Sequence, residues 1–324
     1  MRNDHREFYV YDLEIGVRKA GAKVPDMETV VSVWDKLSRA NRCHPIQSGN
    51  MTLLIGQVEI NRENNVATIL VRLSNKLAPN SVYSDPTTGD FNEHIKTENQ
   101  GSDFACHVLV STIQEENKPN VYTCIIERVA GLTPNLAQRV LSKFLNFEFH
   151  EDTTSFQYRS PGGGLDRAGQ PRMERCCPHI ELRGRPSDSL VRDINNGRIH
   201  GISLVKVEQN TPIAGAAFLT KESSELKLGI DRGNLPANLW DNLRTAFQRN
   251  AGSYQQAKIR LEMDGTKRSV TVDIDAQTGA PLRDLYIKSF EITDIRPLLA
   301  QSARQIVPHL RDHAIPRLLE HRTV

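Results

Sequence analysis

Asp12 and Glu14 stand two apart in the string YVYDLEIG. On a strand that spacing turns both carboxylates to one face, where a pair can share a divalent metal and activate water for phosphodiester cleavage. The intervening and flanking Tyr9, Tyr11, Leu13 and Ile15 would form the buried side. The same two carboxylates therefore also fit an ordinary strand that turns them to water. A metal-dependent nuclease needs further carboxylates near the pair, and the distant His309, Asp312 and His313 match that need only loosely. Glu225-Leu226-Lys227 is half of another nuclease arrangement, but no Asp between Asp193 and Asp231 supplies its partner. Cys176-Cys177-Pro178-His179 offers two thiolates and an imidazole. Adjacent cysteines face one tetrahedral ion poorly, and no second pair completes a zinc site. The Gly162-Gly163-Gly164 run lacks the Gly-Lys-Ser/Thr ending of a phosphate loop. No catalytic signature is complete and no cofactor is implied, so the expectation leans away from an enzyme.

Charge carries the other chemistry. The chain holds 41 Lys+Arg against 39 Asp+Glu, a formal charge of +2. Residues 1–150 have 16 basic and 18 acidic side chains, whereas residues 151–324 have 25 and 21, with 19 of the 25 arginine. The planar fork of arginine suits phosphate oxygens, which makes this asymmetry a nucleic-acid signal. Its densest stretch runs from Arg159 to Lys206, nine basic residues against five acidic. There Arg183, Arg185, Arg192 and Arg198 flank or lie on a helix predicted from Ser187 to Asn196, and Lys206 follows on the next strand. These five form the candidate DNA-binding set, in which arginines on successive turns engage several phosphates and the helix start adds backbone donors. Asp188 and Asp193 in the same helix compete as ion-pair partners.

Hydrophobic period gives the elements that must position these groups. Strands are predicted at FYVYDLEIGV, at MTLLIGQVEI and NVATILVRLS around an Asn61–Asn65 turn, and at FACHVLVSTI and VYTCIIERVA. Met27, Val30, Val31, Trp34 and Leu37 make one helical stripe. Thr133 as N-cap with Pro134 behind it opens another helix. Residues 151–177 are poor in aliphatics and rich in Gly, Pro and Arg (Arg159, Arg167, Arg172, Arg175), which reads as a flexible linker or loop. Beyond it come the strand HIELRG, the Ser187-capped helix stopping at Gly197, HGISLVKVE, SELKLGID and a helix from Pro236 to Ala251. KIRLEMD and RSVTVDID then pair around Gly265, and LYIKSFEI precedes a tail from Ile295 to Leu319 that is helical by period and broken by Pro308 and Pro316.

This order predicts an α+β fold of two domains with mainly antiparallel sheets, packed helices and a C-terminal helix. The expected boundaries are 1–150, the linker 151–177, and 178–324 including that helix. Leu298, Leu299, Ile306, Leu310, Leu318 and Leu319 on the tail are expected to mediate self-association. Five scattered cysteines, no apolar run of membrane-spanning length and an opening MRNDHREF without a signal-peptide core suggest a cytoplasmic protein.

The opening strand FYVYDL, the hairpin GNMTLLIGQVEIN, the step from VYTCIIERVAGLTPN into LAQRVLSKFL, and the later IELRG, helix, GRIHGISLVKVE unit together resemble the RexA/KwaB-type group of anti-phage (phage-exclusion) proteins. The resemblance implies a cytoplasmic homodimer that binds double-stranded DNA without sequence specificity and acts as sensor or effector with a partner defence protein. It transfers no site residue. Sequence-nonspecific DNA binding is thus the leading expectation. A nuclease using Asp12 and Glu14, or a protein-interaction module with dispersed charge, are its rivals.

Overall fold

The computed structural model describes residues 2–166, 168–196, 198–213, 216–262, 269–282 and 286–323. Arg167, the Gly197 helix stop and the turn around Gly265 lie outside them. The chain divides into two compact units, Met1–Leu182 with Phe290–Val324, and Arg183–Ser289.

The first unit is built on strands whose side chains alternate. It contains β1 (Arg6–Val17), α1 (Met27–Arg39), β2 (Cys43–Ile46), β3 (Met51–Asn61), β4 (Val66–Asn75), β5 (Ser81–Ser84), β6 (Phe91–His94), β7 (Ser102–Ser111), β8 (Val121–Glu127), α2 (Pro134–Glu151), β9 (Gln157–Arg159), β10 (Met173–Arg175) and β11 (Pro178–Gly184). The chain passes through the second unit's α3 (Asp188–Asn195), β12 (Ile199–Ile213), β13 (Ala216–Leu228), α4 (Leu239–Asn250), β14 (Gln256–Glu262) and β15 (Ser269–Asp275). It then returns as β16 (Ser289–Ile292) and α5 (Pro308–His321).

An eight-stranded sheet in the order β11-β1-β8-β7-β4-β3-β2, with β16 also on β1, forms the frame of the first unit. Its registers from β1 through β8 and from β2 to β7 are antiparallel, for example Asp12 opposite Thr123 and Ile69 opposite Val108. Both faces of β1 are covered. Phe8 and Val10 join Leu310, Ala314, Ile315 and Leu318 of α5 in one core cluster, while Tyr9, Leu13 and Ile15 are buried as well. Asp26 caps α1 through the Thr29 N–H, and the fully buried Trp34 donates its indole N–H to the Leu141 carbonyl of α2 at 3.0 Å. Thr133 caps α2 by accepting the Leu136 N–H, with Pro134 in the first turn, as the sequence predicts.

The second unit is a four-stranded antiparallel sheet, β13-β12-β14-β15. Leu190 and Ile194 of α3 and Leu239, Trp240 and Phe247 of α4 pack with Ile202, Leu204, Ile259, Leu261, Val272 and Ile274. The α+β class with mainly antiparallel sheets and a C-terminal helix is therefore what this sequence adopts.

The boundaries differ from those expected. Residues 151–177 form no interdomain linker: β9 and β10 pair as a hairpin of the first unit, with Tyr158 buried. Its order comes from polar contacts, which composition in aliphatics does not register. The Arg175 guanidinium donates to the Phe149, Asp152 and Ser155 carbonyls at the end of α2 and lies 4.4 Å from the Phe149 ring centre. The Glu174 carboxylate accepts from Lys19, Tyr158 and Ser160.

The tail also departs from expectation. The final helix starts only at Pro308, and it belongs to the first unit. Leu299, Ile306, Leu310 and Leu318, expected to pair two copies, are buried in the chain's own core, while Leu298 stays half exposed. A buried polar network locks this return. Arg6 Nε donates to Glu127 Oε1 at 2.7 Å, and Glu127 Oε2 accepts from the His107 backbone N–H at 3.0 Å and ring Nδ1 at 2.7 Å. His107 Nε2 accepts the Val307 N–H at 3.1 Å, so its ring proton sits on Nδ1. Among the described residues, no helix is long and apolar enough to cross a membrane.

Candidate functional site

The expected DNA-binding set is spread through the second unit and largely engaged. Arg183 and Arg185 flank Gly184 at the end of β11, are half-buried, and take part in further interactions. Arg198 pairs with Asp193 of α3 at 3.2 Å, the competition that the sequence already contains. Lys206 on β12 lies 3.6 Å from Glu208, a carboxylate that also takes Lys221 at 3.2 Å. Arg192 on α3 is exposed.

The other motifs find ordinary partners. Asp12 pairs with Lys118 at 2.9 Å, and Glu14 takes part in further interactions. Glu225 and Lys227 are exposed on β13. Among the described residues, no group of three or more His, Cys, Asp or Glu is arranged to hold a metal ion.

A different constellation gathers in the first unit. A cavity of ≈ 600 Å³ is lined by Arg18, His44, Asn135, Gln138, Arg139, Ser142, Lys143, Asn146, Cys177, Pro178 and His179. Three fixed cations, two imidazoles and four neutral hydrogen-bonding side chains thus meet in one hollow. None of the described residues lining it is a carboxylate.

Each wall has a local cause. Asn135, Arg139, Ser142, Lys143 and Asn146 follow one another at intervals of three, four or one along α2, so they share its polar face, while Val140, Leu141, Phe144 and Leu145 are buried. Side chains of that polar face also bind the helix to β11 and to the residue before it. The Leu182 N–H donates to Gln138 Oε1 at 2.9 Å, and Asn146 Nδ2 donates to the Cys177 thiol sulfur at 3.7 Å. Arg18 follows directly on β1, and His44 comes from the short edge strand β2. Gly16 lets the His179 ring lie against β1, since a Cβ there would be 2.6 Å from His179 Nε2.

Electrostatics within the hollow are one-sided. Among the described residues, neither Arg18 nor Arg139 forms an ion pair. Lys143 donates to Asn146 Oδ1 at 3.1 Å and lies 5.0 Å from the centre of the Phe147 ring. Desolvation first, and then the charges of Arg139 and Lys143, hold the His44 imidazole below its ordinary pKa. Burial raises the Cys177 thiol, which argues against a standing thiolate nucleophile. His179 Nε2 is 3.3 Å from Glu181 Oε1, and its buried Nδ1 has no hydrogen-bond partner within the protein.

The chain matches no protein-family model and no curated protein. The chemistry of the cleft therefore stands on its own geometry. Cations and neutral donors without a carboxylate suit an anion with several oxygens, above all phosphate. Cys177 and His179 belong to the string first weighed as a metal site, and the structure brings them into a basic hollow instead. Arg18, His44, Arg139 and Lys143 were not singled out by sequence. The Arg139–Lys143 spacing of four on a helix was the one local signal available.

Proposed function

We propose that this protein binds double-stranded DNA through its phosphates, without reading base sequence, and that the cleft of Arg18, Arg139 and Lys143 is where it does so. The observation that carries the reading is the convergence of three cations and two histidines in a hollow whose described lining contains no carboxylate. The polar row from Asn135 to Asn146 extends about 16 Å along α2 at 1.5 Å per residue. That length spans several phosphates of a strand, and neutral Asn, Gln and Ser donors bind phosphate as readily as they bind bases. Phosphate contacts fix position but carry no sequence information, so affinity should be alike for different duplexes. The resemblance to the RexA/KwaB-type group supports the same chemistry, and the proposal includes the setting it implies: a homodimer in anti-phage defence with a partner protein.

The arginines of the second unit are the alternative location. Arg192 is exposed, but Arg198 and Lys206 lie beside carboxylates that would compete with a phosphate.

The test is a binding assay with duplex DNA, single-stranded DNA and RNA at two salt concentrations, with and without Mg²⁺, reading both shift and cleavage. The expected result is salt-sensitive duplex binding with no sequence preference and intact DNA. Absence of duplex binding at low salt overturns the proposal. Mg²⁺-dependent cleavage abolished by Asp12→Ala with Glu14→Ala replaces it with the nuclease reading.

A further inference from the structure

The hairpin of β9 and β10 begins beside the cleft. Lys19, the residue after Arg18, donates to Glu174 Oε2 at 2.6 Å, and a Cβ at Gly21 would lie 3.5 Å from the Pro161 ring. The segment that carries Arg18 out of β1 therefore lies against the hairpin. Alternation along β9 and β10 sorts their side chains. Tyr158 and Ser160 are buried, and Glu174, opposite Tyr158, accepts from both hydroxyls. Arg159, between them and opposite Met173, is exposed.

Arg172, whose carbonyl accepts the Ser160 N–H at 2.9 Å, is exposed as well. Among the described residues, neither Arg159 nor Arg172 forms an ion pair. Asp166, the one carboxylate between them in the sequence, accepts the Ala168 and Gln170 N–H groups at 2.8 and 2.9 Å. Lys19, by contrast, is spent on Glu174. Two guanidinium groups on a ribbon fastened at its base thus have no carboxylate to give up when a phosphate approaches.

We infer that this hairpin is a second phosphate-binding element, in which Arg159 and Arg172 engage backbone phosphates of the duplex beyond those that reach Arg18, Arg139 and Lys143. The inference rests on the DNA-binding reading. Internal phosphates line the outside of a duplex, so exposed cations beside an open cleft suit them. Glu174 acts as a positioning residue: it touches no DNA and holds the base of the hairpin through Lys19, Tyr158 and Ser160.

The experiment titrates one fluorescent duplex with the full chain at several salt concentrations. In Arg159→Ala with Arg172→Ala, exposed positions whose change spares the core, the slope of log affinity against log salt should flatten by about two units, at about 0.9 per phosphate contact. Arg159→Lys with Arg172→Lys keeps the charges and should keep most of the slope. No change in the alanine variant, or a fall in affinity at unchanged slope, overturns the inference while DNA binding stands. Glu174→Gln keeps every cation, yet it should weaken binding and flatten the slope. Removing a negative charge does the opposite by itself, so unchanged or tighter binding overturns the positioning role. Absence of duplex binding by the wild type at low salt overturns the DNA reading and this inference with it.

Discussion

The Ser142 hydroxyl holds Ile180 at both of its backbone groups, donating to the carbonyl at 3.2 Å and accepting the N–H at 2.9 Å. Through this one side chain, the face of α2 that carries Arg139 and Lys143 is set against the strand that carries His179. Ile180 is buried, so Ser142→Ala leaves its N–H and C=O short of a partner. A loss of about 1–3 kcal/mol is expected in urea unfolding, together with weaker phosphate binding. Unchanged stability and unchanged binding would show that the cleft is not held by this contact.

His44 reports on the cleft. Its pKa is depressed by desolvation first and by Arg139 and Lys143 after that. Arg139→Ala should therefore raise it toward the ordinary histidine value, and an anion entering the hollow should raise it in the intact protein. An NMR titration of the imidazole reads both effects. A pKa that stays put on adding phosphate would indicate that no anion approaches His44.

Glu127→Gln tests the buried network that holds the chain's return. Glu127 accepts from Arg6 and twice from His107, all at nearly full burial. Removing its charge leaves Arg6 buried without a counter-ion, which should cost about 3–5 kcal/mol. Chemical denaturation measures that loss, and the Val307 amide should gain hydrogen exchange beforehand. A loss below about 1 kcal/mol, within the range of an exposed pair, would contradict the role given to this network.

Acid should loosen the β9–β10 hairpin. Glu174 is held down to about 2, chiefly by the hydrogen bond from Lys19 and then by Ser160. A folded pKa below the unfolded one means that the clasp contributes fully above the ordinary glutamate range and is lost as pH falls toward 2. Hydrogen exchange at the Ser160 N–H, which donates to the Arg172 carbonyl at 2.9 Å, should rise over that window in the wild type. In Glu174→Gln it should already be fast at neutral pH. A flat profile in the wild type would show that Glu174 does not hold the hairpin closed.

Particular residues show which parts of this protein were legible in its sequence. Thr133-Pro134, the Met27 to Leu37 stripe and the Asn61–Asn65 turn announce themselves because their causes are local: a cap, a helical period and a tight turn. The hairpin at 157–175 was hidden because it is ordered by Arg175 on carbonyls and Glu174 on hydroxyls, not by apolar residues. The apolar tail positions were visible, but whether they cover their own sheet or a second copy depends on where a strand returns after the second unit. Density of arginine pointed to Arg183–Lys206, yet density does not register pairing, and Asp193 and Glu208 take up part of that charge. The cleft draws on positions 18, 44, 139, 143 and 179, and only the sheet order, which sets β11 beside β1, joins the first of these to the last.

Whether phosphates meet the protein at Arg139 and Lys143 is read from the salt dependence of duplex affinity. Each lost phosphate contact removes about 0.9 from the slope of log affinity against log salt. In the folded Arg139→Ala, Lys143→Ala double variant, affinity should fall for every duplex alike and the slope should flatten by about two units. The Arg183→Ala, Arg185→Ala, Arg192→Ala triple variant should keep the wild-type slope. Unchanged affinity and slope in the double variant, with loss in the triple one, would return the interface to the second unit.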